Sequence, residues 1–260
     1  FDPEVFKIAA ESLCQENGVQ LLYHAFLADA QIDNDGHIGS VQVATKAGLT
    51  TLEADMFVDS TGDADLATFA GADIEKGRPE DGLSQPMTLN FRMARVDTKR
   101  MPSREEITKS YLAAKERGDV ECPRENVLWF YTTEPDVIHF NTTRVVMKDA
   151  TDPLELTEAE VEARRQAWQL AQFLRREVPG FEHAYLESTG TQIGVRESRR
   201  VMGEYVMTAE DCLAARKFDD AITRGSYPVD IHNPAGTGTV IKHIPPGDWY
   251  DIPFRCLIPR

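Results

Sequence analysis

At 260 residues the chain can bury a sizeable core as one large domain or two moderate ones, and its mix of 42% apolar and 27% charged residues is that of a globular protein. A formal net charge of −15 argues against nucleic acid or an anionic membrane surface as partner, and no apolar run reaches the length of a membrane-spanning helix. The four cysteines (Cys14, Cys122, Cys212 and Cys256) lie far apart with no Cys-x-x-Cys pair, which speaks against a zinc site or a dithiol redox centre and for thiols in a reducing, cytoplasmic compartment.

In chain order, Pro3 to Asn17 reads as an amphipathic helix with Phe6, Ala9, Ala10, Leu13 and Cys14 on one stripe, ended by Asn17-Gly18. Val19 to Ala30 is strand-like. The turn Asp33-Asn34-Asp35-Gly36 leads into alternating Ile38, Val41 and Val43, Lys46-Ala47-Gly48 turns again, and Leu49 to Phe57 returns, so a β-meander is expected. Next comes VDSTGDADLATFAGA, Val58 to Ala72. An apolar run feeds a turn cluster (Asp59 to Gly62), Asp63 opens a short helical segment, and Gly71 stops it. Such a junction turns backbone N–H groups toward one spot and suits a phosphate, a ribose or another polar part of a cofactor. A plain tight turn has the same sequence signature.

Lys76 to Pro86 reads as a loop or crossover, and Met87 to Val96 alternates as a strand that begins a second domain. Ser103-x-x-Glu106 is a capping box opening a helix to Gly118. Val127 to Thr132, Val137 to Phe140 and Thr142 to Lys148 are β-rich. Thr157-x-x-Glu160 is expected to cap the longest helix, carried by Val161, Ala167, Trp168, Ala171, Phe173 and Leu174. Thr208 is a further N-cap. Gly236-x-Gly238 lacks the preceding apolar strand and third glycine of a dinucleotide turn and is not one.

Two constellations could carry chemistry. Thr189 to Arg200 ends in Arg196, Arg199 and Arg200, which share one face if the segment is helical and could clamp a carboxylate or stabilise an anion; pairing with Glu197 and Glu204 is the structural alternative. In YPVDIH, Asp230 and His232 are i, i+2 on an extended segment and point to the same side, as a carboxylate orienting a general base would. The alternative is a loop pair that binds backbone groups. The remaining histidines show no metal-ligand spacing.

The stretch VDSTGDADLATFAGA, with the preceding GVQLLYHAFLADAQIDNDGHIGSVQVATKAGLTTLEADMF, resembles the FAD-dependent oxidoreductases of the glutathione-reductase-like superfamily, in the subgroup whose second signature is Asp-Ala-Thr-Gly-Asp. Ser60 stands where that signature has Ala. GTQIGVRESRRVMGEYVMTAEDC and YDIPFRCLIP are similar to the same subgroup. The resemblance implies FAD as cofactor, with Leu27 beside adenine and Ser60, Thr61, Gly62 and Asp63 in the cofactor loop. It implies an α/β (α+β-like) chain: a partial Rossmann-like FAD-binding domain with β-meander over 1–86, with 251–260 as its returning strand, and a mixed-sheet substrate domain over 87–250. Neither the family's Gly-x-Gly-x-x-Gly turn nor its closing Gly-Asp segment is in the sequence, so the resemblance also implies an internal piece of a longer flavoprotein. Such a piece would hold FAD weakly on its own, and its exposed strand edge would promote dimers. The expected activity is hydride transfer to or from a small organic substrate, with Arg196, Arg199, Asp230 and His232 as catalytic candidates. The rivals are a ligand-binding or interaction module that keeps the fold without flavin, and a non-redox enzyme using Asp230 and His232 for proton transfer alone.

Overall fold

The computed structural model describes residues 2–260. In chain order the elements are α1 (Pro3–Glu16), β1 (Phe26–Ile32), β2 (Ile38–Thr45), β3 (Gly48–Glu53), α2 (Asp65–Phe69), β4 (Ile74–Lys76), β5 (Phe91–Ala94), α3 (Arg104–Glu116), β6 (Trp129–Tyr131), β7 (Ile138–Phe140), α4 (Pro153–Glu177), β8 (Tyr185–Thr189), β9 (Arg199–Val201), α5 (Ala209–Leu213), β10 (Ala221–Gly225), β11 (Val229–His232), β12 (Thr239–Lys242) and β13 (Tyr250–Pro253). Two compact units share them. One holds 2–75, Arg199–Pro228 and His243–Arg260, and the other Lys76–Ser198 and Val229–Lys242. The sequence division of 1–86 with 251–260 against 87–250 differs from this, because Arg199–Pro228 and His243 to Tyr250 pack with the first unit.

The first unit is a set of small sheets with short helices. Asp2 caps α1 through Glu4 N at 2.8 Å, and Pro3 at the first position costs no hydrogen bond. The helix forms as expected, yet none of its residues is buried, and Phe6 and Leu13 of the apolar stripe are exposed. The meander is present as the antiparallel sheet β1-β2-β3, with Val41 and Val43 buried on one face by the period-two alternation. Asp33 shapes its first turn by accepting from the N–H groups of Asp35 and His37. Strand structure begins only at Phe26, so Val19 to Ala25 lies outside the ladder that the sequence predicted from Val19 onward. The end of the chain forms β13, antiparallel to β10, followed by a 3-10 turn over Phe254–Leu257.

The second unit carries the main core. Its four-stranded sheet runs β6-β7-β5-β8, every pairing antiparallel, where a mixed sheet was expected. Phe91 of β5 and Phe140 of β7 stack at 4.8 Å, Phe181 meets Phe140 edge-on, and Tyr111 of α3 meets Phe173 of α4. Ser103 and Glu106 form the capping box of α3. The longest helix starts earlier than predicted: Asp152 accepts from Leu154 N and Glu155 N, and Pro153 takes the first position. Thr157 is therefore inside α4, its hydroxyl donating to Pro153 O. Ala167, Ala171, Phe173 and Leu174 of the predicted stripe pack inward together with Ala159, Ala163 and Leu170, while Val161 and Trp168 fall on the opposite side of the helix and are exposed. Thr142 to Lys148 forms only an isolated bridge, Val145 to Met87, because Thr142 and Thr143 spend their hydroxyls on Leu128 O and Leu89 O. The chain is thus α+β, built from small antiparallel sheets and helices.

Candidate functional site

The Ser60–Asp63 loop lies in the first unit. Asp59 organises it: Oδ1 accepts from Thr61 N (2.9 Å) and Thr61 Oγ1 (2.8 Å), and Oδ2 from Ala67 N (2.9 Å). Burial alone would raise the Asp59 carboxyl, but these N–H and O–H donors outweigh it and hold it below the usual carboxylate range. Thr61 Oγ1 accepts from Asp65 N in turn. The chain reverses through two left-handed residues, Gly62 (φ +86) and Ala64 (φ +57, ψ +41), before α2 begins. Ser60, Thr61 and Gly62 stay exposed, and among the described residues the bonds that shape the loop use neither the Ser60 nor the Gly62 amide. Exposed donors on a rigid turn fit a polar, anionic part of a cofactor. α2 packs on β1, whose half-buried Leu27 pairs with Val43, so one unit holds all five cofactor-binding candidates.

The arginines are not on one helix face. No helix forms there; Arg199 and Arg200 belong to β9 of the first unit, and Arg196 to the second. Arg199 Nε donates to Asp63 O at 2.7 Å and its Nη2 pairs with the Asp65 carboxylate, so it grips the loop itself. Arg200 pairs with Glu75 at 3.6 Å. Arg196 Nη1 donates to Pro86 O at 2.6 Å.

Asp230 and His232 do come together, on β11, with Asp230 Oδ1 3.6 Å from His232 Nε2. β11 pairs with β12 in a hairpin that sets His232 opposite Thr239, and its loop Asn233 to Gly238 is closed by Asn233 N donating to Gly238 O. Behind them lies a group that periodicity did not single out. Arg144 is 1% exposed, and its guanidinium donates to Gly236 O (3.1 Å), Gly238 O (3.4 Å), Thr239 Oγ1 (3.4 Å) and His232 Nδ1 (3.1 Å), while Glu125 Oε2 pairs with it at 3.3 Å. Thr239 Oγ1 is 2.9 Å from the same imidazole nitrogen, and Gln85 Oε1 accepts from His232 N at 3.0 Å. Gln166 holds the Arg144 backbone at both N and O, each at 2.9 Å.

This packing fixes the state of the imidazole. A guanidinium has no lone pair, so Nδ1 of His232 is the acceptor, and the neutral ring carries its proton on Nε2, facing Asp230. Burial, then the positive charge of Arg196, brings the His232 pKa down to about 4; Asp230 opposes the shift and Arg144 and Arg124 add to it. Near neutral pH the ring is therefore a neutral hydrogen-bond donor at Nε2. It is not the free base that the i, i+2 spacing suggested, because the other nitrogen is occupied.

The sequence signal for Arg144 was weak but real: one arginine inside NTTRVV, an otherwise uncharged β-rich run. Among the described residues, the group able to hold a metal is Asp33, Asp35 and His37 on the exposed first turn of the meander, where Asp33 is already engaged with the turn's own N–H groups. No described helix is long and apolar enough to cross a membrane.

Comparison with known proteins gives one extensive relationship. The family model for FAD-dependent oxidoreductases matches residues 1–260. No curated protein matches the chain. Among solved structures, the tryptophan 5-halogenase MibH is similar at 15% identity over 74% of this chain, with a TM-score of 0.36, below the level at which a common fold follows. The chain spans 29% of that protein's length. With a match that runs along its whole length, this chain belongs to the FAD-dependent oxidoreductase family.

Proposed function

We propose that the chain serves an FAD-dependent oxidoreductase that moves a hydride to or from a small organic substrate. The family match carries the cofactor assignment. Leu27 and Ser60 to Asp63 would hold FAD, which when bound supplies the hydride acceptor or donor.

The substrate roles rest on the locked imidazole. Arg144, donating to Nδ1, keeps the proton of His232 on Nε2, where it can bond a substrate oxygen and steady charge that develops on it. Asp230 is the carboxylate next to that proton and less buried than His232, and takes or returns the proton that must accompany the hydride. Arg196, exposed beside them, attracts a substrate anion. The acid–base pair is thus assigned with Asp230 as base and His232 as donor.

The test is optical. Full-length protein purified with FAD should be yellow, and anaerobic addition of the right substrate should bleach the flavin band. Asp230→Asn should slow that bleaching by about 10²–10⁴-fold, the usual share of a general base, while leaving the flavin bound. A full-length protein that stays colourless in excess FAD would instead identify a module that has kept the fold and lost the redox chemistry.

A further inference from the structure

We propose that Arg199 is the positioning residue of the cofactor loop: it fixes Asp63 to Asp65 in the shape on which FAD binding depends. The inference rests on the assignment of Ser60 to Asp63 to the cofactor. It arises from a problem the loop does not solve by itself. Ala64 sits in the left-handed region, where a Cβ crowds the backbone, and such a residue persists only when its surroundings hold it there.

The local bonds secure only one side of that residue, where Thr68 N (2.9 Å) and Thr68 Oγ1 (2.6 Å) donate to Ala64 O. Asp59 ties Thr61 to Ala67, and Thr61 ties itself to Asp65, but neither touches the peptide that joins Asp63 to Ala64. Arg199 does. Its Nε donates to Asp63 O at 2.7 Å, on one side of Ala64, and its Nη2 bonds the Asp65 carboxylate on the other. Nε and Nη2 lie on one edge of a planar group, so a single rigid fork straddles the strained residue. Lysine cannot copy this, having one point charge on a flexible stem. Arg199 is itself held, as a half-buried residue of β9 paired with β4, and α2 on the far side of the loop is anchored by buried Leu66 and Ala67. The grip comes from 136 residues later in the chain than Asp63. Cofactor affinity should therefore depend on β9, which lies far later in the chain than Ser60 to Asp63.

The experiment compares wild type, Arg199→Lys and Arg199→Met by amide hydrogen exchange and by FAD titration followed through flavin fluorescence. Both variants should speed exchange of the Asp65 and Ala67 amides at least tenfold and weaken FAD binding at least tenfold, while the amides of β4, β9 and the β1-β2-β3 sheet keep their protection. Arg199→Lys that binds FAD within twofold of wild type would overturn the fork argument. So would exchange that rises equally across β4 and β9, which marks a general loss of structure. If the wild-type chain shows no affinity for FAD at all, the cofactor assignment of the loop fails, and the exchange comparison alone decides whether Arg199 holds it.

Discussion

The buried imidazole makes a quantitative prediction about pH. His232 titrates near pH 4 in the folded protein, against about 6.5 for a histidine in water, so between those values the unfolded chain binds a proton that the folded one does not. Stability from this group is complete above about pH 6.5 and is lost as pH falls toward 4. The linkage integral gives a loss of about 2 kcal/mol at pH 5 and about 3 kcal/mol below pH 4. The groups that face the ring act in both directions: Arg196, Arg144 and Arg124 repel the added proton, Asp230 favours it, and desolvation is the largest influence.

His232→Asn is the reference, since its side-chain oxygen can accept from Arg144 without titrating. Urea unfolding read through the second unit should show wild type losing about 2 kcal/mol more than the variant between pH 7.5 and pH 5. With a slope of about 1–3 kcal/mol per molar urea, that is a midpoint difference on the order of 1 M. The imidazole resonances should titrate near pH 4. A midpoint at or above 6, or identical pH dependence of both proteins, would refute the tautomer lock and with it the donor role of Nε2.

Three further outcomes follow from the same contacts. Phe140→Ala empties the stacked centre of the sheet and should cost the second unit about 3–5 kcal/mol in urea unfolding. Arg144→Met strands Glu125 and the hairpin carbonyls without their cation and should destabilise by about 3–5 kcal/mol, with a smaller loss when Glu125→Gln is added. Asp59→Ala removes the carboxylate that shapes the Ser60 to Asp63 loop and should cost about 1–3 kcal/mol locally, seen as faster exchange of the Thr61 and Ala67 amides.

What could be read from the sequence was local. The meander, the Ser103 capping box and the turn at Asp59 to Gly62 are each specified by residues within one or two turns of one another, and each forms, although the returning strand expected through Phe57 ends at Glu53 and leaves Met56 and Val58 exposed. The longest helix shows the limit of that reading. Thr157-x-x-Glu160 and Asp152-Pro153 both signal a start, and the earlier pair prevails because Pro153 needs no N–H partner there and Asp152 satisfies two amides at once. The start does not decide the buried face: Ala167, Ala171, Phe173 and Leu174 pack inward as expected, while Val161 and Trp168 are apolar but lie on the opposite side of the helix. The antiparallel sheet was hidden for a different reason: periodicity identifies strands, while partners come from contacts distant in sequence, such as Phe91 with Phe140 and Thr189.

The site divides along the same line. Asp230 and His232 were legible as a pair because a strand fixes i and i+2 on one side. Their chemistry was not, since it is decided by Arg144, 88 residues earlier, and by Thr239 across the hairpin. Arg199 makes the complementary case. Three residues from Arg196, it was grouped with it by spacing, yet the fold sends the two to different units and different partners, Pro86 for one and the Asp63–Asp65 backbone and carboxylate for the other. Spacing in sequence groups residues only where the backbone is regular, and Ser198 to Arg199 is where the chain passes from one unit to the other. The residues at such a passage take their roles from whichever unit each one joins, which is why Arg199 is read from the loop it holds.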